Sequence, residues 1–362
     1  MEIVHHPLLS HSLGTERELV SLHFGTRGAS PKVYIQASLH ADELPGMLVA
    51  WFLRVALKNL ESQGRILGEI ILVPVANPIG LSQHVMANHL GRYDLATSQN
   101  FNNHFLDFAP KIQDALESLL TENADENKAI IRAAMAEVLT KEKPKTELES
   151  LRLLITKLSF DADVVLDLHC DWEAVPHLYA GTPLWEKVEP LARYFGAQTV
   201  LLSLKSGDNP FDDASGQTWW KLREHFKGEF PIPHGCVAVT MEHRGQRDVS
   251  HELADQDAMA IMHYLAHEGV VDMRVPELPA LPYPATELAR VEYMKTPTSG
   301  VIVYRTDLGE FVTKGTAIAD IVDPISGSAT TMRAGQNGVL YARHHQRFAT
   351  LGMTIARISG EP

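Results

Sequence analysis

Val33-Tyr-Ile-Gln-Ala-Ser-Leu-His40-Ala-Asp-Glu43-Leu-Pro-Gly46 changes character twice within a few residues. Val33 to Ala37 is an apolar, β-rich run that reads as a buried strand. It gives way to His40 and, three residues on, Glu43. Pro45 and Gly46 then open an apolar segment of helical period from Met47 to Leu60. The imidazole and the carboxylate therefore sit at the carboxyl end of a strand, on the turn into a helix, which is where open α/β sheets bind ligands. His and Glu three apart on such a turn can converge on one cation, and the pair suits zinc. Alone, a His-x-x-Glu pair is more often an ordinary surface pair, so its meaning depends on the other strand ends.

Two further buried runs end the same way. Asp163-Val-Val-Leu-Asp167-Leu-His169 stops at a His, with Asp167 two residues earlier and so on the same face of the strand. A carboxylate in that position can orient a metal-bound imidazole. Cys236-Val-Ala-Val-Thr-Met241 is closed by Glu242, followed by His243-Arg244-Gly245-Gln246. Glu69 to Val75 reads as another strand, ended by the turn Asn77-Pro78-Ile-Gly80. Strands at this spacing, separated by helices such as His251 to Glu268, imply a mostly parallel mixed sheet with helices on both faces.

The composition narrows the function classes. The chain has 362 residues, 45% of them hydrophobic, as expected for a globular protein of two domains or one large domain with an appendage. A net charge of −13 argues against nucleic acid and anionic membrane as partners. No apolar run approaches the roughly 18 residues of a membrane span, and the N-terminus lacks the form of a signal peptide. Two cysteines, Cys170 and Cys236, give no disulfide framework, so a cytoplasmic location is expected. Cys170 as a nucleophile weighs less than Cys170 as a small residue at a crowded strand end.

The polar stretch from Leu81 to Phe108 is long for a connector, which points to function. From about 110 to 158 the pattern turns helical, in three segments parted by an acidic break and by Pro144. This insertion covers one side of the site, offers a homo-oligomer face, or is a plain surface addition. Pro276, Pro279, Pro282 and Pro284 mark a linker, and the glycine-punctuated β pattern beyond it reads as a small all-β domain. The expected division is 1–275 for the first domain and 285–362 for the second.

Two His and one carboxylate, with water in a fourth position, form a catalytic rather than a structural zinc site. A further carboxylate must take the water's proton, and Glu242 at a separate strand end is placed for that. Its plainer reading is a carboxylate paired with Arg244.

The motifs His40-Ala-Asp-Glu-Leu-Pro-Gly46, Asn77-Pro-Ile-Gly80, Gly91-Arg-Tyr-Asp94 with Asn100-Phe-Asn-Asn103, Asp167-Leu-His169 and Glu242-His-Arg-Gly-Gln246 together resemble the succinylglutamate desuccinylase/aspartoacylase family of zinc carboxypeptidase-like enzymes. The resemblance spans most of the chain. Pro297 to Gly300, Leu308 to Gly315 and Ala334 to Gly338 resemble the biotinyl/lipoyl-like sandwich that such deacylases carry. It implies one zinc ion held by His40, Glu43 and His169, with Glu242 as general base and then acid. Arg92 matches the arginine that polarises the scissile carbonyl. The implied substrate is a small N-acyl amino acid or related amine. The family's Asn-Arg pair for a substrate carboxylate falls on Asn102 and Asn103, where a neutral amide stands in place of the charged fork. Arg244 or Arg247 is then expected to supply that charge, unless the substrate is neutral there. The Asp323 to Gly327 turn carries no Lys, so no lipoate or biotin is expected on it. Two other readings stand beside the deacylase: a metallocarboxypeptidase, which Asn103 counts against, and a catalytically silent metal-binding protein.

Overall fold

The computed structural model describes residues 1–205 and 207–361. The first half of the chain contains β1 (Glu2–Pro7), β2 (Glu18–Gly25), β3 (Lys32–Ala37), α1 (Pro45–Ser62), β4 (Glu69–Val73) and the single turn α2 (Pro78–Leu81). The small hairpin β5 (His84–Val85) and β6 (Asn88–His89) follows, then α3 (Ala109–Leu116), α4 (Ala124–Lys141) and α5 (Glu147–Ser159). Next come β7 (Val164–Asp171), β8 (Glu173–Ala174), β9 (His177–Gly181), α6 (Trp185–Phe195), β10 (Thr199–Ser203), α7 (Phe211–His225), β11 (Val237–Gly245), α8 (His251–His267) and β12 (Thr286–Glu287).

A nine-stranded sheet runs in the order β1-β2-β4-β3-β7-β11-β9-β10-β12. Its centre is parallel, with β4, β3, β7 and β11 pairing in that sense, whereas β9 lies antiparallel to β11. Both faces are covered, so the central strands are apolar throughout rather than alternating. On β3, Val33, Ile35 and Ala37 face the core shared with α1, α6 and α8. Tyr34 faces the opposite core, built with α3, α4, α5 and α7. Asn123 caps α4 through the amides of Asp125 and Glu126, and Ser250 caps α8 through that of Leu253.

Two antiparallel sheets follow. They use β13 (Glu292–Lys295), β14 (Gly300–Tyr304), β15 (Phe311–Val312), β16 (Ala317–Asp323), β17 (Ser328–Arg333), β18 (Gly338–Arg343), β19 (Phe348–Ala349) and β20 (Thr354–Ile358). Ile302, Ile318, Ile321, Leu340, Ile355 and Ile358 fill the space between them. The exposed Asp323 to Gly327 segment is the β16–β17 turn. The two regions share backbone pairing, since β8 pairs with β18 and β12 joins the large sheet beside β10. Arg343 and Arg347 both reach Glu173 at 2.7 Å across this seam. Among the described residues, no helix is long and apolar enough to cross a membrane.

Candidate active site

The parallel register sets the first layer of geometry. Gln36 on β3 lies beside Asp167 on β7, and Glu242 on β11 lies beside His169. Their carboxyl ends form one rim, and the turn after β3 folds over it. Ser38 takes a positive φ of 66° there. Asn77 fixes the turn, accepting from the Gly80 amide at 2.8 Å and donating to the Leu39 carbonyl at 2.9 Å. Gly91 is required by closeness, because a Cβ on it would stand 2.2 Å from the Asp42 nitrogen.

Glu43 sits at the centre, 2% exposed. Its Oε1 is 2.9 Å from His40 Nδ1 and accepts from Arg92 at 3.0 Å. Its Oε2 is 2.8 Å from His169 Nδ1 and accepts from the Cys170 amide at 3.1 Å. The far nitrogens of both rings are held from outside. His169 Nε2 donates to Asp167 Oδ2 at 2.9 Å, a carboxylate that can only accept. His40 Nε2 donates to Asn100 Oδ1 at 2.8 Å, an oxygen identified as the acceptor because it also takes the Asn102 amide. Both tautomers therefore leave Nδ1 facing inward. Their ligand atoms and that of Glu43 lie within 4.8 Å of one another, so this buried His-Glu-His group can hold a metal ion.

Burial alone would raise the Glu43 carboxyl, but His40 and His169 hold it well below the usual carboxylate range. Burial also opposes charge on His169, yet Asp167 and Glu43 raise its imidazole well above the ordinary value. Glu242 behaves differently. Desolvation, helped by Glu43 and Asp171, pushes its carboxyl up to about 8, and its buried Oε2 has no hydrogen-bond partner among the described residues. A carboxyl with a free oxygen and a raised pKa beside a His-Glu-His group marks a candidate functional group.

These groups open on one cavity of about 440 Å³. His40, Glu43, Arg92, His169 and Glu242 line it, and so does Asn102. The Asn102 carboxamide oxygen accepts from the Phe211 amide at 2.9 Å, tying the loop to the start of α7. The fold does not bring Asn103 or Arg244 to this cavity. Asn103 turns towards Asp208 at 3.4 Å. Arg244 adopts a positive φ at the end of β11 and makes a two-pronged pair with Asp257 of α8, at 2.7 and 3.0 Å. Glu242 is consequently not the partner of Arg244. Cys170 is buried, and desolvation raises its thiol well above its ordinary value, which disfavours the thiolate a nucleophile needs.

Several lining residues had no sequence signal. Asp212 in the first turn of α7 is raised to about 7 by burial and by Asp213 and Asp167. Trp172 follows the β7 end directly. Tyr293 and Arg357 come from the C-terminal sheets.

Residues 29–268 match the family model of the succinylglutamate desuccinylase/aspartoacylase catalytic domain. The chain belongs to that family. It is similar over its whole length to solved family proteins of Shewanella amazonensis and Shewanella frigidimarina. The first is 26% identical with a TM-score of 0.87, covering 99% of this chain and 98% of that one. The second is 25% identical, also at 0.87, covering 99% and 97%. The ectoine utilization protein EutE (DoeB) of Ruegeria pomeroyi shares the fold at 17% identity and a TM-score of 0.67, over 99% and 95% of the two chains. Among curated proteins none matches.

Proposed function

We propose that this family member is a zinc-dependent amidohydrolase that removes the acyl group from an N-acyl amino acid or a related N-acylated amine. The observation that carries the reading is the convergence of His40, Glu43 and His169 with Glu242, whose Oε2 has no hydrogen-bond partner among the described residues, on the wall of the same cavity. Zinc held by the three ligands would act as a Lewis acid towards the carbonyl and acidify a water. Asp167 and Asn100 keep each Nε2 protonated, so the inward Nδ1 atoms stay unprotonated and present their lone pairs to a metal. Glu242 takes the water's proton at its free oxygen and delivers it to the departing amine, and burial suits its carboxyl to both halves of that exchange. Added positive charge beside it favours the carboxylate form and brings it towards its working range. Arg92, packed against Glu43 and 44% exposed, offers its remaining N–H groups to the oxygen on which charge develops.

The test joins metal content to turnover. Zinc should bind in the purified chain, and N-acyl amino acids should be hydrolysed in preference to short peptides. E242Q should retain zinc while kcat falls about 10²- to 10⁴-fold. Unchanged turnover in E242Q removes Glu242 from the mechanism, and preferential release of C-terminal residues from peptides replaces the deacylase with a carboxypeptidase.

A further inference from the structure

Three arginines stand at the seam between the large sheet and the C-terminal sheets, and they are not equivalent. Arg343 and Arg347 both pair with Glu173 and do not line the cavity. Arg357 does line it. It projects from β20, where its backbone is registered against Tyr293 and Ala342. One terminal nitrogen, Nη1, donates to Asp171 Oδ2. Asp171 in turn accepts the Trp172 amide at 2.8 Å, so it is a fixed anchor rather than a mobile counter-ion. The guanidinium lies 5.7 Å from the Trp172 ring centre and 5.9 Å from that of Tyr293. Aromatic faces restrain a cation without consuming its donors. Of its five N–H donors, one on Nη1 is engaged among the described residues.

Charge within the cavity gives this placement its meaning. Arg92 and Arg357 are the guanidinium groups lining it among the described residues, and Arg92, tied to Glu43 through Nη1, is already assigned to the scissile carbonyl. Asn102 spends its oxygen on the Phe211 amide, while Asn103 and Arg244 point elsewhere. The geometry points to Arg357 as the anion-binding residue of the substrate pocket, a specificity determinant that the C-terminal domain lends to the catalytic domain. The ligand class is an N-acylated amine bearing a carboxylate away from the scissile amide, gripped by the planar fork that Arg provides and Lys does not.

This inference rests on the deacylase reading, and the experiment separates the two. Zinc-loaded wild type, R357Q and R357K are assayed on substrate pairs differing only in one group. In one series N-acetyl amino acids are set against their α-carboxamides, with the carboxylate on the amine side. In the other, N-succinyl amines are set against the matching succinamoyl amines, with the carboxylate on the acyl side. In one of the two series, wild type should favour the carboxylate member. R357Q should lose about 10- to 100-fold more in kcat/KM on that member than on its carboxamide, mainly through KM. R357K should recover part of the loss. An equal fall on both members of a pair makes Arg357 a latch of the seam and overturns the proposal, as does a preference that survives in R357Q. Equal wild-type rates on carboxylate and carboxamide overturn the anion site and leave the deacylase reading intact. No turnover of any pair by zinc-loaded wild type overturns both.

Discussion

Replacing Asp167 by Asn probes the site without removing a ligand. Asp167 is fully buried and accepts two hydrogen bonds of 2.9 Å, from His169 Nε2 and from Gln36 Nε2, while Gln36 Oε1 takes the Tyr34 hydroxyl at 2.9 Å. The chain of donors runs one way, from Tyr34 and Gln36 towards the carboxylate. A carboxamide of the same shape has one acceptor and one donor, so it cannot receive both N–H groups. If its oxygen stays on His169, Gln36 must turn its amide over and Tyr34 must accept instead of donate. If its NH₂ faces His169, the imidazole must move its proton to Nδ1, where the metal would sit. The first arrangement loses only the charge that makes His169 a strong donor, and the second abolishes the ligand. A weakening of metal affinity by 10- to 100-fold, about 1.4 to 2.7 kcal/mol, is expected for D167N. Competition with a chromophoric chelator measures it, independently of turnover. An affinity within twofold of wild type would refute the claim that Asp167 sets the tautomer of His169.

The remaining predictions address what holds the site in place. Burial alone would raise the Asp257 carboxyl, but His243 and Arg244 hold it below the usual range; its contribution is therefore present above about pH 4 and lost as pH falls through the depressed value. D257N should cost about 3 kcal/mol at pH 7, and the gap from wild type should close on acidification below pH 4 in denaturant titrations; a gap independent of pH contradicts this sign. G91A should lower kcat about 100-fold and also lower Tm, since the new methyl overlaps the backbone of Ala41 and Asp42 and displaces the loop carrying Arg92; wild-type kcat would show that the loop tolerates the methyl. Arg152 of α5, 8% exposed, donates at 2.8 Å to both Gln99 Oε1 and the Asn100 carbonyl, and so steadies the residue that holds His40. R152M should lose about 1 to 3 kcal/mol of stability and weaken metal binding several-fold; metal affinity equal to wild type would confine Arg152 to a structural part.

How much of this could be read in the sequence depends on whether the signal was local. That His40, Glu43 and His169 come together was legible because the two histidines close apolar runs, Glu43 follows His40 by three residues, and a parallel sheet carries such ends to one rim. Asp167 was legible because strand alternation puts it on the side of His169. The three helices of the insertion followed from period and breakers, but their link to the site did not, since Arg152 reaches Asn100 only through the tertiary fold. Helix α7 gave a poor helical pattern. Asp212, Asp213, Ser215, Gly216, Gln217 and Thr218 interrupt it, yet most of them are buried against the sheet.

The two arginines show the limit most clearly. Arg244 stands two residues after Glu242, and proximity in sequence suggests a shared site. A left-handed residue at the end of β11 turns the chain there, and the buried carboxylate of Asp257 captures the guanidinium. Arg357 is far from every catalytic motif and sits in a β pattern with no chemical signature. Its place on the cavity wall follows from β8 pairing with β18, and from β20 lying next in that sheet. A local pattern can specify which residues gather into a group able to hold a metal, because strand ends place them rigidly. What the pocket selects is set where two sheets meet, and a single change in that pairing would redefine it while every motif stayed intact.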